Sequence, residues 1–170
     1  DALILSNHWR AMDKKPVELR GLTRKALEPF SAQGDGNRIV TCGLSDSLPD
    51  LVVIGDRAQL ETVVASLVSN GLKYSMGQGI VRVTVGPAEG GARISVCDRG
   101  IGVPDAERSS IFDGFSRGGN LEGRDPGGLG LGLYVSAMIV RQHGGRIWVE
   151  SNGQTGTHFY VELPTSPVVV

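Results

Sequence analysis

The sequence predicts an α/β sandwich in which helices cover one face of a sheet, and three observations carry that prediction. Apolar residues recur at helical spacing in three places: Leu22, Ala26, Leu27 and Phe30; Leu60, Val63, Val64, Leu67 and Val68; and Leu133, Val135, Ala137, Met138 and Val140. Apolar and polar residues alternate in Ile80–Val85 and Arg93–Val96, and Ile147–Glu150 with His158–Leu163 reads as a further strand pair. The order of these segments is mixed, without internal repeat, and is neither a strict β-α-β alternation nor an all-β meander.

Taken in chain order, Asp1 to about Asp13 places Leu3, Ile4 and Trp9 in a helix-like pattern too short to be stable alone. After Pro16, Val17-Glu18-Leu19 reads as a short strand, and the first helix then runs until Gly34 and Gly36 stop it. Strands are expected at Arg38–Leu44 and Leu51–Ile54. Asp56 is a suitable N-cap for the second helix, which reaches about Tyr74. Glu89-Gly90-Gly91 turns a hairpin whose second strand delivers Cys97 and Asp98 at its end. From Arg99 to Gly128 the chain is rich in Gly, Asp, Ser and Arg, with one short helical turn expected near Asp105–Phe112. A loop of that length within a compact domain is usually functional, and this one resembles a lid. The third helix is expected from Leu129 to about His143, closed by His143-Gly144, and Pro164–Val170 reads as a frayed tail.

With 170 residues, 40% hydrophobic and 21% charged, the chain can bury one core of ordinary size. The net charge of −1 and the lack of a long basic block give no electrostatic footprint for nucleic acid or an anionic membrane. No stretch approaches the roughly 20 apolar residues of a membrane helix, and Asp1-Ala2-Leu3-Ile4 has no signal-peptide character, so a soluble segment without membrane contact is expected. Cys42 and Cys97 lie far apart without a Cys or His at metal-ligand spacing, and are expected to be buried structural thiols.

Four groups of residues carry chemistry. In Gly128-Leu129-Gly130-Leu131-Gly132, three alternating glycines precede an apolar helix, so backbone can approach a ligand closely while free helical N–H groups face an anion. The spacing is neither that of a P-loop nor that of a Rossmann turn, and the plain alternative is a flexible linker. Asp98-Arg99-Gly100-Ile101-Gly102 places a carboxylate at a strand end beside a tight loop, where it can accept from an exocyclic amine such as adenine N6 or simply make a turn. Asn70, Lys73 and Tyr74 share a helix face: a neutral oxygen for Mg²⁺, a cation for phosphates and apolar surface for a base, or else a polar helix end with the tyrosine in the core. Phe112-Asp113-Gly114-Phe115-Ser116-Arg117 sets two aromatics and a cation in a polar loop, either for docking or to pin the loop to the body.

In order, Asn70, Asp98-x-Gly100-x-Gly102, Phe112-x-x-Phe115-x-Arg117 and Gly128-x-Gly130-x-Gly132 resemble the N, G1, F and G2 boxes of bacterial sensor histidine kinases. Lys73-Tyr74-Ser75, His143-Gly144-Gly145-Arg146-Ile147-Trp148-Val149-Glu150-Ser151 and Gly156-Thr157-x-Phe159 add to a likeness that covers Leu19 to Pro164. The resemblance implies the Bergerat (GHKL) ATP-binding fold, a mixed sheet of about five strands with three helices on one face and ATP under a mobile lid. It implies that Asn70 holds Mg²⁺, Lys73 the phosphates and Tyr74 the adenine ring, while Asp98 accepts from adenine N6. Gly100, Ile101 and Gly102 would shape the pocket, Arg117 would approach the γ-phosphate, and Gly128 to Leu133, including Leu129, Leu131 and Gly132, would wrap the phosphates. Thr157 joins the nucleotide-binding set, and Asn70, Lys73 and Arg117 form the catalytic one.

The same likeness makes residues 1–13 the tail of a dimerisation helix and linker, residues 14–164 the catalytic domain and residues 165–170 a disordered tail. His8 lacks the acidic neighbour of a phosphoacceptor, His143 is expected to end a helix and His158 to lie in a strand, so all three are expected to be structural. The implied partners are ATP, the chain's own dimerisation and phosphoacceptor domain upstream of Asp1, and a response regulator. The implied location is cytoplasmic, with membrane anchoring of the full-length protein left open. Two departures stand out: Ser66 replaces the first Asn of Asn-x-x-x-Asn, and Arg99 stands where a small polar residue is common. Hydrolytic relatives of the gyrase type carry a Glu at the Ser66 position, and a serine cannot act as that base near neutral pH, which favours transfer over hydrolysis. The alternatives are a non-catalytic nucleotide-binding module of a degenerate kinase and a protein-serine kinase of the anti-sigma type, against which the two-Phe box and Arg117 speak.

Overall fold

Glu18 decides where the first helix begins. In a computed structural model that describes residues 12–32, 39–44, 48–49, 51–75, 79–114, 131–151 and 156–165, β1 spans Lys15–Glu18 and α1 spans Leu19–Ala32. Leu19, expected as the end of the strand, is the first helical residue. The Glu18 carboxylate accepts the free N–H groups of Arg20 at 2.8 Å and Gly21 at 2.5 Å, satisfying two of the donors that a helix start leaves open. The strand-like pattern therefore stops at Glu18, whose carboxylate caps the helix that follows.

Strands β2 (Ile39–Cys42) and β3 (Val52–Gly55) follow, then α2 (Arg57–Tyr74), β4 (Val81–Ala88) and β5 (Gly91–Cys97). A single turn of 3₁₀ helix at Asp105–Glu107 stands in the stretch where one short helical turn is expected, and α3 (Gly132–Gln142), β6 (Arg146–Glu150) and β7 (His158–Leu163) follow. Gly91, expected in the hairpin turn, is the first residue of β5 with φ 136°, and a Cβ there would lie 2.2 Å from the Leu163 carbonyl oxygen.

Five strands form one sheet in the order β2-β4-β5-β7-β6, and β1 pairs with β3 in a separate two-stranded sheet. The larger sheet is mixed, with β2 parallel to β4 and the other pairs antiparallel. Register places Val83, Val96, Phe159 and Val149 in one row across four strands, and all four are buried. The three helices pack over this face, with α2 between α1 and α3. This is the α/β sandwich that the periodicities predict.

The opposite row, Thr84, Ser95, Tyr160 and Trp148, lies on the other face. There the Tyr160 and Trp148 rings stack with centroids 5.1 Å apart. The Arg93 and Arg146 side chains lie over the Trp148 ring and pair with buried Glu162, holding its carboxyl below the usual range. The expectation of buried thiols fails. Cys42 is exposed on edge strand β2, and Cys97 is half-buried in register with Arg82 and His158 on this outer face. Thr165, placed in the tail from sequence, bridges to Val53.

Asp56 is the N-cap of α2, as its sequence position predicts, its carboxylate accepting from the Gln59 N–H at 3.2 Å. Leu60, Val63, Val64, Leu67 and Val68 form the buried stripe, and Leu67 and Val68 are fully inaccessible. Truncating Leu67→Ala removes atoms that the surrounding core cannot replace and is expected to lower unfolding stability by about 2–5 kcal/mol. Chemical denaturation should show a lower midpoint with an unchanged slope.

Candidate functional site

Asp98 is the first residue beyond β5 and only 6% exposed. A carboxylate withdrawn from water needs donors, and Oδ1 accepts the backbone N–H groups of Gly100 at 2.8 Å and Thr157 at 3.2 Å. The Asp98 N–H donates to the Thr157 carbonyl at 2.9 Å. Burial pushes the carboxyl above its ordinary value, while the Gly100 and Thr157 hydrogen bonds pull it back down.

The loop after β5 is stitched to the loop before β7. The Gly156 N–H donates to the Gly100 carbonyl at 2.9 Å, and the Ser151 hydroxyl donates to the Gly156 carbonyl at 2.9 Å while accepting from the Val103 N–H at 3.2 Å. The Arg108 guanidinium donates to the Ser151 carbonyl. Gly156 has φ 85°, and a Cβ there would stand 2.1 Å from the Asp98 carbonyl oxygen.

Two further close approaches bring α2 to the same place. A Cβ on Gly100 would lie 2.4 Å from the Tyr74 carbonyl oxygen, so the loop presses on the last turn of α2. A Cβ on Gly71 would lie 3.1 Å from the Val81 side chain and 3.6 Å from the Asp98 Cβ, so bare backbone lets the helix settle against the strand ends. Asn70, Lys73 and Tyr74 are thereby held beside Asp98, each partly exposed, with Lys73 Nζ 5.5 Å from the centroid of the Tyr74 ring.

Helix α3 starts at Gly132 after Leu131, whose apolar side chain offers no cap to the helix N-terminus. A Cβ on Gly132 would lie 2.9 Å from Ser66 Oγ on α2, so the two helices touch closely at this end. Leu131 is buried and Leu133 half-buried. Ser66, Asn70 and Lys73, at i, i+4 and i+7, form one flank of α2 that runs from the start of α3 to the Asp98 loop. Arg99, the second departure, is exposed.

The structure therefore brings together Asn70, Lys73, Tyr74, Asp98, the Gly100-Ile101-Gly102 loop and Thr157, with Leu131, Gly132 and Leu133 joined to them across Ser66. Gly128, Leu129, Gly130, Phe115 and Arg117 lie outside the described residues. Phe112 is buried and meets Phe159 edge to face, centroids 6.4 Å apart, which is the pinning role. Sequence reasoning missed Ser151 and the bracing by Gly156, which are contacts between distant loops without a local signature. Gly71 did carry a signal, because a glycine inside a strongly apolar helix is unfavourable unless something packs closely there.

Among the described residues no group of three or more His, Cys, Asp or Glu side chains could hold a metal ion. A neutral Asn oxygen beside a cationic Lys suits a cation that arrives with phosphate oxygens and water as its other ligands, as Mg²⁺ does. The residues present fit that ion and not a preformed carboxylate cage.

Residues 55–167 match the family model described as histidine kinase-, DNA gyrase B-, and HSP90-like ATPase. The alginate biosynthesis sensor protein KinB of Pseudomonas aeruginosa is 33% identical over 168 residues, which cover 96% of this chain and 27% of that one. The chain therefore spans about a quarter of that relative's length. Among solved structures, the mycobacterial sensor histidine kinase MprB superposes with a TM-score of 0.77 at 28% identity, covering 91% of this chain and 100% of that one. Full-length ShkA in complex with AMPPNP gives 0.77 at 26% identity, covering 99% of this chain and 35% of that one.

Exchanging Gly156→Ala forces a side chain into the Asp98 carbonyl and strains a left-handed backbone. A loss of about 1–3 kcal/mol is expected, lowering the thermal midpoint by about 2–4 °C for each kcal/mol, as differential scanning calorimetry would read.

Proposed function

Since the chain belongs to the histidine kinase-, DNA gyrase B-, and HSP90-like ATPase family and is a catalytic domain of the sensor-histidine-kinase kind, we propose that it holds ATP·Mg²⁺ beside Asp98 and donates the γ-phosphoryl group to a histidine. That histidine would lie on a dimerisation domain of the full-length protein, for relay to a response regulator. The observation that carries the reading is the juxtaposition of the Asn70-Lys73-Tyr74 turn with the buried Asp98 carboxylate, enforced at Gly71 and Gly100.

In this reading Asp98 accepts from the adenine N6 amine, held in place by the Gly100 and Thr157 N–H groups. Tyr74 flanks the base, and Gly100, Ile101 and Gly102 line the pocket. Lys73 and the N–H groups at the start of α3 would face the phosphates, and the family resemblance assigns Arg117 and Gly128 to Gly130 to the same phosphates. Asn70 would hold Mg²⁺, which supplies neutralisation of the phosphate charge. The imidazole nitrogen attacks the γ-phosphorus, the bond to the β–γ bridging oxygen breaks and ADP leaves. The protein contributes position and fixed charge.

A calorimetric titration of the chain with ATP tests this. Binding that tightens when Mg²⁺ is present is expected, and no binding at millimolar ATP would sink the proposal. Asp98→Asn keeps an oxygen for the Gly100 and Thr157 N–H groups but turns an N–H₂ towards adenine N6. ATP affinity should fall about tenfold to a hundredfold, the equivalent of a hydrogen bond to a charged group. Stability should not fall with it. A carboxyl whose folded-state pKa is raised destabilises the fold above its unfolded value, and that penalty fades as pH drops through the folded value. Removing the charge removes the penalty, so at neutral pH the variant should melt no lower than the parent.

Asn70→Asp places a negative charge beside the triphosphate and is expected to abolish phosphotransfer in the full-length protein. Labelled phosphohistidine at the parental level would show that Asn70 is not at the metal.

A further inference from the structure

His143 ends α3 on the side farthest from Gly132 and is 6% exposed. Its Nδ1 lies 2.7 Å from the Ile139 carbonyl oxygen, which can only accept, so Nδ1 carries the proton and Nε2 is an acceptor. The Asp56 backbone N–H donates to that Nε2 at 2.9 Å. Asp56 is the N-cap of α2, and its Oδ2 accepts from the Asp13 N–H at 3.1 Å. Lys14 Nζ donates to the Gln142 carbonyl in the last turn of α3 at 3.2 Å. One imidazole thus joins the end of α3 to the start of α2, and the segment at Asp13 and Lys14 is tied to both.

The ring has a slot of its own. A Cβ on Gly55 would lie 2.6 Å from His143 Cδ2 and 3.0 Å from Nε2. Because Asp56 meets His143 at one end and Ser66 meets Gly132 at the other, α2 and α3 run antiparallel and are pinned at two points. The ten-residue step from Asp56 to Ser66 spans about 15 Å of helix. Two contacts at that separation, added to the core packing of Val135, Ala137, Ile139 and Val140, hold the angle between the helices, and with one gone that end of α3 is held by core packing and the Lys14 bond alone.

We propose that His143 is a positioning residue for the nucleotide site: in its neutral form it locks α3 to α2 and to the Asp13–Lys14 segment, and on protonation it releases that lock. The proposal rests on reading Asn70, Lys73 and the start of α3 as the phosphate side, because the angle sets the gap between them. A proton on Nε2 removes its lone pair and turns an N–H towards the Asp56 N–H. Burial keeps the imidazole below its ordinary pKa, Asp56 draws a proton towards it and Lys14 opposes one. Of the other charges at this end, Lys15 pairs with Asp13 at 2.7 Å, and Arg141 is exposed. A base depressed in the folded state is protonated first in the unfolded chain, so the lock is intact above the ordinary histidine range and weakens as pH falls below it.

Imidazole ¹⁵N NMR and amide hydrogen exchange on the chain, beside ATP titration at about pH 8 and about pH 5.5, test the lock. At the higher pH the expected result is a neutral His143 with Nδ1 protonated and a protected Asp56 amide, and at the lower pH Asp56 exchange should rise roughly tenfold or more. His143→Gln keeps an acceptor that does not titrate. It should hold Asp56 protection and ATP affinity near parental at the higher pH and should lack the His143 part of the acid response, with the titration of ATP itself common to both proteins. His143→Ala should lose the protection and weaken ATP binding roughly tenfold at both pH values. An Nε2-protonated tautomer, parental ATP affinity in His143→Ala, or the same acid response in His143→Gln would each overturn the proposal. Failure of the parent to bind ATP at the higher pH would refute the nucleotide reading instead, while the tautomer and Asp56 exchange still decide the lock.

Discussion

A carboxylate buried at a strand end must be given donors, and most of the local architecture follows from how Asp98 obtains them. Its two N–H partners come from different loops, so the loop after β5 and the start of β7 must converge on one oxygen. Convergence at hydrogen-bond distance leaves no room for side chains where backbone crosses backbone, which explains the glycines. At Gly100 a Cβ would strike the Tyr74 carbonyl, and at Gly156 it would strike the carbonyl of Asp98 itself. The glycine spacing in Asp98-Arg99-Gly100-Ile101-Gly102 therefore records close packing as much as turn flexibility. The end of α2, the end of β5 and the start of β7 hold fixed relative positions as a consequence.

Helix α2 serves the core and the site from different flanks. Successive residues step about 100° round the axis, which puts Leu60, Val63, Val64, Leu67, Val68 and Gly71 on one side. Ser66, Asn70 and Lys73 fall about 120° away from the centre of that stripe. The core face fixes the helix against the sheet, so the site flank inherits a defined position without holding itself in place. This division leaves Leu67 in the core and Asn70 on the flank that faces the candidate site, although the two are three residues apart.

Periodicity made most of the fold legible, because amphipathic stripes and alternation are properties of neighbouring residues. The three helices and the strand pairs β4–β5 and β6–β7 were readable for that reason, as was the Asp56 cap, whose partner Gln59 is three residues on. What failed was set by distant groups. Leu19 became helical because the Glu18 carboxylate caps the turn that follows it, and Cys42 is exposed because β2 is an edge strand, a fact of sheet order that the local sequence does not carry. In the site, Asn70, Lys73, Tyr74 and Asp98 were named from residue type and spacing. Ser151 and Gly156 were not recognised as braces, since their contacts with Val103 and Gly100 cross about fifty residues of chain and have no pattern to read.

The chemistry open to the α2 flank depends on what it lacks. Glu61 is the only acidic residue in the helix, and it points away from the flank that carries Ser66, Asn70 and Lys73 and pairs with Arg57. That flank offers a hydroxyl, an amide and an ammonium group, none of which takes a proton from water near neutral pH. Ser66 Oγ is moreover packed against the backbone of Gly132, so its small size serves the close approach of the two helices. A nucleophile attacking a phosphate held here would have to bring its own basicity. An imidazole does so without help, its ring nitrogen being largely unprotonated at neutral pH, whereas water does not. A serine where the hydrolytic relatives carry a glutamate thus fits a site that hands its phosphoryl group to a histidine better than one that spends it on solvent.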